Sequence, residues 1–168
     1  MIPYKNTKNL QRILYVLTSG TLVWLLLIIL APIFKSSGNS ISKYLYFIFE
    51  PACHQIPERS LFINSEPLAV CTRCFATYFG VFLFLIFTLI RKKIIRINPN
   101  IVILFSVPTI IDFLLEKFGL YVNISEIRIV TGLMFGASII YLILYSIMDI
   151  KNEYLNKRKL NYGKSEIN

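Results

Sequence analysis

A cluster of cysteine and histidine residues is the part of this chain whose residue types and spacing suit chemistry. All three cysteines and the single histidine fall within 22 residues, as the adjacent pair Cys53 and His54 and the C-x-x-C pair Cys71 and Cys74. A C-x-x-C pair holds two thiolates about one helical turn or one tight turn apart, which suits two corners of a tetrahedral metal site. The cluster therefore predicts a metal site built from these four residues.

Either three or four of these residues complete the predicted site. Adjacent residues rarely both bind one ion, because their side chains diverge in a strand and point about 100° apart around a helix. A closed four-ligand site and a three-ligand site with an open position for chemistry both remain compatible with the spacing. Thiolates with one imidazole suit zinc, and they also suit iron or copper(I). We expect zinc, with iron and copper as alternatives.

Other interpretations of the cysteines stay open. A zinc or disulfide staple would hold together a loop that has no core of its own, and buried inert thiols would have no role beyond packing. A redox dithiol is also compatible, because C-x-x-C spacing lowers a thiol pKa and an oxidising compartment permits disulfides. That interpretation leaves Cys53 without a pair. Attachment of a c-type haem is excluded, since Phe75 follows Cys74 where a histidine is needed.

The composition indicates a membrane protein. Of the 168 residues, 55% are apolar and 16% charged, against roughly 25% charged in a soluble domain. The net charge is +9, yet the mean hydropathy is +0.62, so the basic residues must be segregated from long apolar runs. Basic residues at the ends of apolar runs are typical of membrane spans. A nucleic-acid partner would need them on one surface, and we expect none.

Four long runs with few charges predict four transmembrane helices, at approximately residues 13–34, 72–90, 99–118 and 127–148. The third run reaches the required length only if Asp112 and Glu116 lie inside the helix. We therefore predict an all-α fold, an integral membrane four-helix bundle in a single domain of residues 1–150. Residues 151–168 form a polar tail, expected to be frayed and cytoplasmic.

The basic residues also predict the orientation. Twelve of the eighteen Lys and Arg lie in the N-terminal tail, in residues 91–100 and after Met148. The positive-inside rule puts these segments in the cytoplasm of a cell-membrane protein. The loop of about 38 residues between the first two spans is then extracytoplasmic. Within it, the aromatic segment Ile41–Phe49 is too short to cross and is expected at the interface or folded back on the bundle. We expect the first span to be uncleaved.

Charged residues are predicted to converge at the end of the bundle that carries the cysteines. Asp112 and Glu116 are four residues apart and share one helix face. Arg128 enters the fourth span from the same side, and Arg59 and Arg73 lie there as well. Ionisable residues inside a span usually face a partner in the bundle. We expect an Asp112–Arg128 ion pair that locks two helices, or a polar pocket under the metal site that takes an anionic or polar ligand.

Helix packing is predicted along the third and fourth spans. Gly132 and Gly136 have the small-xxx-small spacing that lets helices approach closely, and the neighbouring Thr131 is able to hydrogen bond across that interface. Pro108 is expected to kink the third helix, because it removes one backbone hydrogen bond.

The cysteine segments resemble a known family signature. The residues are CHQIPERSL from Cys53 and LAVCTRCFATYFG from Leu68, followed by Pro108, Asp112, Arg128, Thr131 and Gly132. This pattern resembles domain of unknown function 2085, a prokaryotic family of small integral membrane proteins. The resemblance implies a multi-pass membrane topology and supports these residues as the site, and it implies no particular reaction.

The sequence favours an integral membrane protein with an extracytoplasmic, zinc-like Cys/His site above a charged pocket between helices. The alternatives are a membrane thiol-disulfide oxidoreductase that uses the C-x-x-C pair, with a quinone or an outer-face protein as electron acceptor, and a small carrier or channel subunit. Whether the protein is an enzyme stays open. The partners are the lipid bilayer, a small ligand of unknown identity, and either a second copy or another membrane protein.

Overall fold

Four of the five α-helices among the described residues are long and apolar enough to cross a membrane. The structure is a computed structural model that describes residues 2–3, 8–91, 93–94, 97–119 and 124–165. The helices are α1 (Lys8–Ser36), α2 (Ile41–Phe49), α3 (Thr72–Arg91), α4 (Pro99–Lys117) and α5 (Ser125–Ser165). The candidate spans within them are 19 to 27 residues long. The predicted all-α fold with four spans is therefore confirmed.

Short strands complete the described chain. β1 (Ile2–Pro3) pairs antiparallel with β4 (Lys93–Ile94), and β2 (Phe62–Ile63) pairs antiparallel with β3 (Glu66–Pro67). Asn64 and Ser65, between β2 and β3, both have positive φ. Two such residues in succession make the tight turn whose twist matches a β-hairpin.

The last two helices extend beyond the uncharged parts of their spans. α4 includes Asp112 and Glu116 and continues through Pro108, so the third span reaches full length. α5 runs for 41 residues and continues past Ile150 to Ser165. The expected frayed tail is therefore helical as far as Ser165. Residues 151–162 contain neither glycine nor proline, so nothing in their composition ends the helix.

α5 is the central helix of the bundle. It packs against α3 and α4, while α1 packs against α3 and α2. Leu14, Leu85 and Leu144, from α1, α3 and α5, are fully buried together in one apolar core. A second core lies at the opposite end of the bundle and includes Ile28 and Phe49. We call the end that holds this second core the cysteine end. α1 and α4 end there, and α3 and α5 begin there.

α3 and α5 approach each other at glycine. A Cβ atom added to Gly132 would lie 2.8 Å from the Cβ of Ala76, and one added to Gly136 would lie 2.9 Å from the carbonyl carbon of Thr77. These distances leave no room for a side chain, so Gly132 and Gly136 lie where α5 packs closely against α3. Gly80 on α3 is equally crowded by the backbone of Leu133, and the sequence did not single it out.

The segment between α1 and α3 folds back over the cysteine end. Leu45 and Phe49 of α2 are buried, whereas Tyr44 and Phe47 on the other face are about 70% exposed. The Trp24 ring of α1 meets the Phe49 ring edge-on, with centroids 4.8 Å apart. α2 is therefore amphipathic and folded back on the bundle, as expected for an aromatic segment too short to span.

Candidate functional site

The three cysteines meet at the cysteine end. The turn after α2 holds Cys53, whose N–H donates to the carbonyl oxygen of Phe49. Cys71 directly precedes α3 and Cys74 lies in its first turn. The Cys71 N–H donates to Cys53 Sγ at 3.1 Å. The side chains of all three cysteines line the same cavity. Cys53 and Cys71, which are eighteen residues apart in the sequence, are thereby brought together. All three cysteines are free thiols.

The surroundings of Cys71 favour its protonated form. The hydrogen bond with the Cys53 side chain is the largest cause that raises the pKa of Cys71, and burial raises it further. Hydrogen bonds from the Ile56 backbone and the Ser60 side chain act in the opposite direction but are outweighed. Cys71 therefore stays a thiol at pH values where a solvent-exposed cysteine begins to ionise.

The fourth predicted ligand, His54, directly follows Cys53 in the chain. Its side chain is exposed, although it lines the same cavity as the three cysteines. Within the part of the chain that the structure describes, no group of three or more His, Cys, Asp and Glu side chains is arranged to hold a metal ion. The thiols are together, but no ligand set is already formed.

A network of ion pairs lies beside the thiols, at the ends of α3, α4 and α5. Arg73 Nη2 donates to Asp112 Oδ2 at 2.5 Å and to Glu116 Oε2 at 3.0 Å. Glu116 Oε1 lies 3.0 Å from Arg59 Nη2 and also contacts Arg128 Nη2. The side chains of Asp112 and Arg128 are each only 3% exposed. All five predicted charged residues therefore belong to one network, in which Glu116 is shared by three arginines.

The pairing within this network differs from the expected one. Asp112 pairs with Arg73, and Arg128 pairs with Glu116 instead of with Asp112. The antiparallel register of α4 and α5 is the reason. Thr131 Oγ1 lies 3.4 Å from Asp112 Oδ2, so Asp112 faces Thr131, and Arg128 lies almost one helical turn further along, opposite Glu116. The predicted Asp112–Arg128 ion pair is therefore wrong. The ion pair that connects α4 to α5 is between Glu116 and Arg128.

Thr131 has the interhelical role that its position predicted. Its carbonyl oxygen accepts a hydrogen bond from Thr109 Oγ1 of α4 at 2.7 Å. Its own hydroxyl lies between the carbonyl oxygen of Ile127 at 2.9 Å and the Asp112 carboxylate. One threonine thus connects α5 to α4 directly below the charged network.

Several buried polar atoms of the network keep unused hydrogen-bonding capacity. Among the described residues, the network atoms with no hydrogen-bond partner are Arg73 Nε, Asp112 Oδ1, Glu116 Oε1, and Nε and Nη2 of Arg128. Arg128 Nη2 contacts Glu116 Oε1 as an ion pair without forming a hydrogen bond. Buried polar atoms are nearly always hydrogen bonded in folded proteins. The network is therefore incomplete as it stands.

Thiols and charged residues share one cavity of about 570 Å³. Its lining residues are Ala52, Cys53, His54, Ile56, Arg59, Cys71, Arg73, Cys74, Phe113, Glu116, Lys117 and Arg128. All four predicted metal ligands and four of the five predicted charged residues line it. Asp112 stands behind Arg73, and Thr131, Gly132 and Gly136 lie deeper in the bundle.

The sequence did not single out four residues of this cavity, and two of them, Phe113 and Lys117, lie on α4 beside the charged network. Phe113 follows Asp112 on α4, and the Arg73 guanidinium lies 6.0 Å from the centre of its ring. Lys117 is the basic residue in the last turn of α4. A basic residue directly after an acidic one at the end of a span is a signal that identifies Lys117. Nothing in the sequence distinguishes Phe113 from the other apolar residues of α4.

Comparison with known proteins places the site inside a family motif. The model of a family described as a predicted membrane protein, domain of unknown function 2085, matches residues 53–142 and so begins at Cys53. An uncharacterized protein of Methanocaldococcus jannaschii is 35% identical over 132 residues, covering 73% of this chain and 85% of the relative. One from Methanothermobacter thermautotrophicus is 30% identical over 89 residues, covering 52% and 80%. No solved structure matches the chain.

Proposed function

Since the chain belongs to the family of predicted membrane proteins called domain of unknown function 2085, we propose that it is a multi-pass membrane protein that binds a thiophilic metal ion in the cavity at its cysteine end. The proposed ligands are Cys53, Cys71 and Cys74, with His54 as a fourth ligand recruited from the same cavity wall. The expected metal is zinc. The bias of basic residues supports an extracytoplasmic cavity, with both termini in the cytoplasm.

One observation carries this proposal: all three cysteines line one cavity, and the Cys71 N–H donates to Cys53 Sγ at 3.1 Å. Three sulfur donors, with one imidazole nearby, form a set suited to zinc, iron or copper(I). The Glu116 carboxylate, although it lines the cavity, is occupied by three arginines and is therefore not an additional ligand.

The residues around the thiols have separate tasks in the proposed site. Arg73 lies next to Cys74 and is held by Asp112 and Glu116, so it fixes the first turn of α3 against α4. The turn after α2 brings Cys53 against that helix terminus. When bound with one open position, a zinc ion supplies Lewis-acid chemistry or lowers the pKa of a bound water. With all positions filled, the ion stabilises the loop, because metal-binding free energy is then folding free energy.

Metal analysis of the purified protein tests the proposal. We expect about one zinc ion per chain in detergent-solubilised protein, and a thiolate charge-transfer band after replacement by cobalt. Cys53→Ser, Cys71→Ser and Cys74→Ser should each lose the metal, whereas Ser37→Ala should retain it, since Ser37 is an exposed residue at the same end of the bundle. A wild-type protein that neither contains nor takes up zinc or cobalt overturns the proposal.

Thiol redox chemistry is a second candidate function, favoured by the same grouping of the three cysteines in one cavity. All three thiols are free, and the proposed product is a disulfide between Cys53 and one of the other two. The reaction removes two protons and two electrons, and a membrane quinone reduced to the quinol would accept them. Alkylation of the protein after treatment with a quinone distinguishes the candidates. Loss of two reactive thiols with no bound metal favours the redox function.

A further inference from the structure

We infer that the cavity beside the thiols binds an oxyanion, the phosphate or carboxylate group of a small ligand, through Arg59, Arg73 and Arg128. This inference deepens the proposed function because it concerns the same cavity. It depends on guanidinium groups instead of thiols, and anion binding is therefore measurable apart from metal binding.

Arg128 is the first observation that points to a ligand. The residue is 2% exposed and its side chain forms part of the cavity wall. Its Nε atom has no hydrogen-bond partner among the described residues, and its Nη2 atom contacts Glu116 Oε1 as an ion pair. A guanidinium has five N–H donors and cannot lose its charge, so a buried arginine with unused donors needs an acceptor. The cavity is where an acceptor fits.

The charged side chains around the cavity also favour an anionic ligand. Four basic side chains line the cavity, and only two carboxylates are paired with them. The basic residues are Arg59, Arg73, Lys117 and Arg128, and the carboxylates are Asp112 and Glu116. The two carboxylates balance Arg73 and Arg128, so the excess positive charge lies on Arg59 and Lys117, which are exposed and attract anions. An anionic group in the cavity restores neutrality.

The sharing of Glu116 shows why the protein's own carboxylates do not complete the network. Glu116 is contacted by Arg59 and Arg73, each at 3.0 Å, and also by Arg128. A carboxylate has about four lone-pair sites, fewer than the donors of three guanidinium groups. Planar oxyanions and phosphates match the guanidinium fork with two parallel hydrogen bonds. The vacant Nε donors of Arg73 and Arg128 therefore favour an oxyanion over a neutral polar group.

The dimensions fit a small ligand. The cavity volume of about 570 Å³ lies inside the range of about 300 to 1,000 Å³ found for small-molecule sites. Phe113 and Ile56 supply an apolar portion of the wall. The oxyanion is presented either by a soluble molecule or by the headgroup of an anionic lipid, because the cavity lies at the end of the bundle, where lipid headgroups are.

The test uses the full-length protein and inorganic phosphate as the probe. We expect phosphate to raise the melting temperature of the protein in nanodiscs of zwitterionic lipid, with saturation, both before and after treatment with a chelator. Persistence after chelation separates this inference from the metal proposal. If phosphate acts only on metal-loaded protein, the ion binds the metal and the assignment to arginine is overturned.

The matched variants are Arg59→Gln and Lys43→Gln. Arg59 is about half exposed and shares Glu116 with two other arginines, so its loss leaves the fold intact and should weaken phosphate binding about tenfold. Lys43 is an exposed residue of α2 that does not line the cavity, and its substitution should change nothing. Equal binding by Arg59→Gln and the wild type contradicts the inference.

Nanodiscs that contain an anionic phospholipid distinguish the two sources of the oxyanion. If the anionic lipid raises the melting temperature and abolishes the phosphate effect, the ligand group is a lipid headgroup. If phosphate remains effective, the ligand is soluble. If neither stabilises the wild-type protein, the inference is wrong.

Discussion

Gly136 is the position where a single methyl group should most directly damage the bundle. A Cβ atom there would lie 2.9 Å from the carbonyl carbon and 3.1 Å from the Cα atom of Thr77, and closer still to the Thr77 oxygen. All three are backbone atoms of α3, so no side-chain rotation relieves the overlap. Gly136→Ala therefore forces α5 away from α3 along the interface that connects Arg128 to the cysteines.

The expected cost follows from two opposing terms. Overpacking in a close-packed interior costs about 1–3 kcal/mol, and the upper part of that range applies where backbone opposes backbone. Replacing a helical glycine with alanine stabilises the folded state by roughly 0.5–1 kcal/mol, because the unfolded chain loses backbone entropy. We expect a net destabilisation of about 2 kcal/mol, measured as a lower free energy of unfolding in mixed micelles.

Gly20→Ala is the control for this prediction. Gly20 lies on α1, and a Cβ atom added there meets nothing within 4 Å. In this variant only the backbone entropy changes, since the added methyl group overlaps no atom. It should be as stable as the wild type or slightly more stable. The emission of Trp24, whose ring is 5.9 Å from that of Tyr78 on α3, provides the unfolding signal. If Gly136→Ala unfolds at the same denaturant concentration as Gly20→Ala, the close approach of α3 and α5 is refuted.

Three further predictions concern charge and orientation. Asp112→Asn should cost about 3–5 kcal/mol, because it removes a buried carboxylate and leaves Glu116 as the shared counterion of three arginines. Lys35→Gln, which breaks an exposed pair, should cost no more than about 1 kcal/mol by the same denaturation assay. Burial, with the charge of Glu66 in addition, raises the pKa of Tyr46 from 10.0 to about 12. The folded state then holds this proton more tightly than the unfolded chain, so stability should fall between those pH values; a Tyr46→Phe variant with the same pH slope in thermal unfolding would contradict this. Reporter fusions at residue 38 should be extracytoplasmic and those at residues 98 and 159 cytoplasmic, and a cytoplasmic signal at residue 38 would reverse the topology.

The sequence by itself determined the secondary structure of the membrane part. A bilayer offers no hydrogen bonds to the backbone, so an apolar run of about 20 residues must become a helix wherever it lies in the chain. That constraint is local, and residues 13–34 and 127–148 are accordingly found in α1 and α5. The tight spacing of the cysteines likewise brings them to one end, because only one loop and one helix terminus hold them.

The tertiary structure alone decided which groups pair. Asp112 was expected opposite Arg128, but in the register of α4 against α5 it lies opposite Thr131. The Asp112 carboxylate instead pairs with Arg73 of α3. A shift of one helical turn moves a side chain by about 5.4 Å, enough to exchange one ion-pair partner for another. Arg73 is on α3, which packs closely against α5 at Gly132 and Gly136. These segments are more than forty residues apart in the chain, and no local pattern encodes their contact.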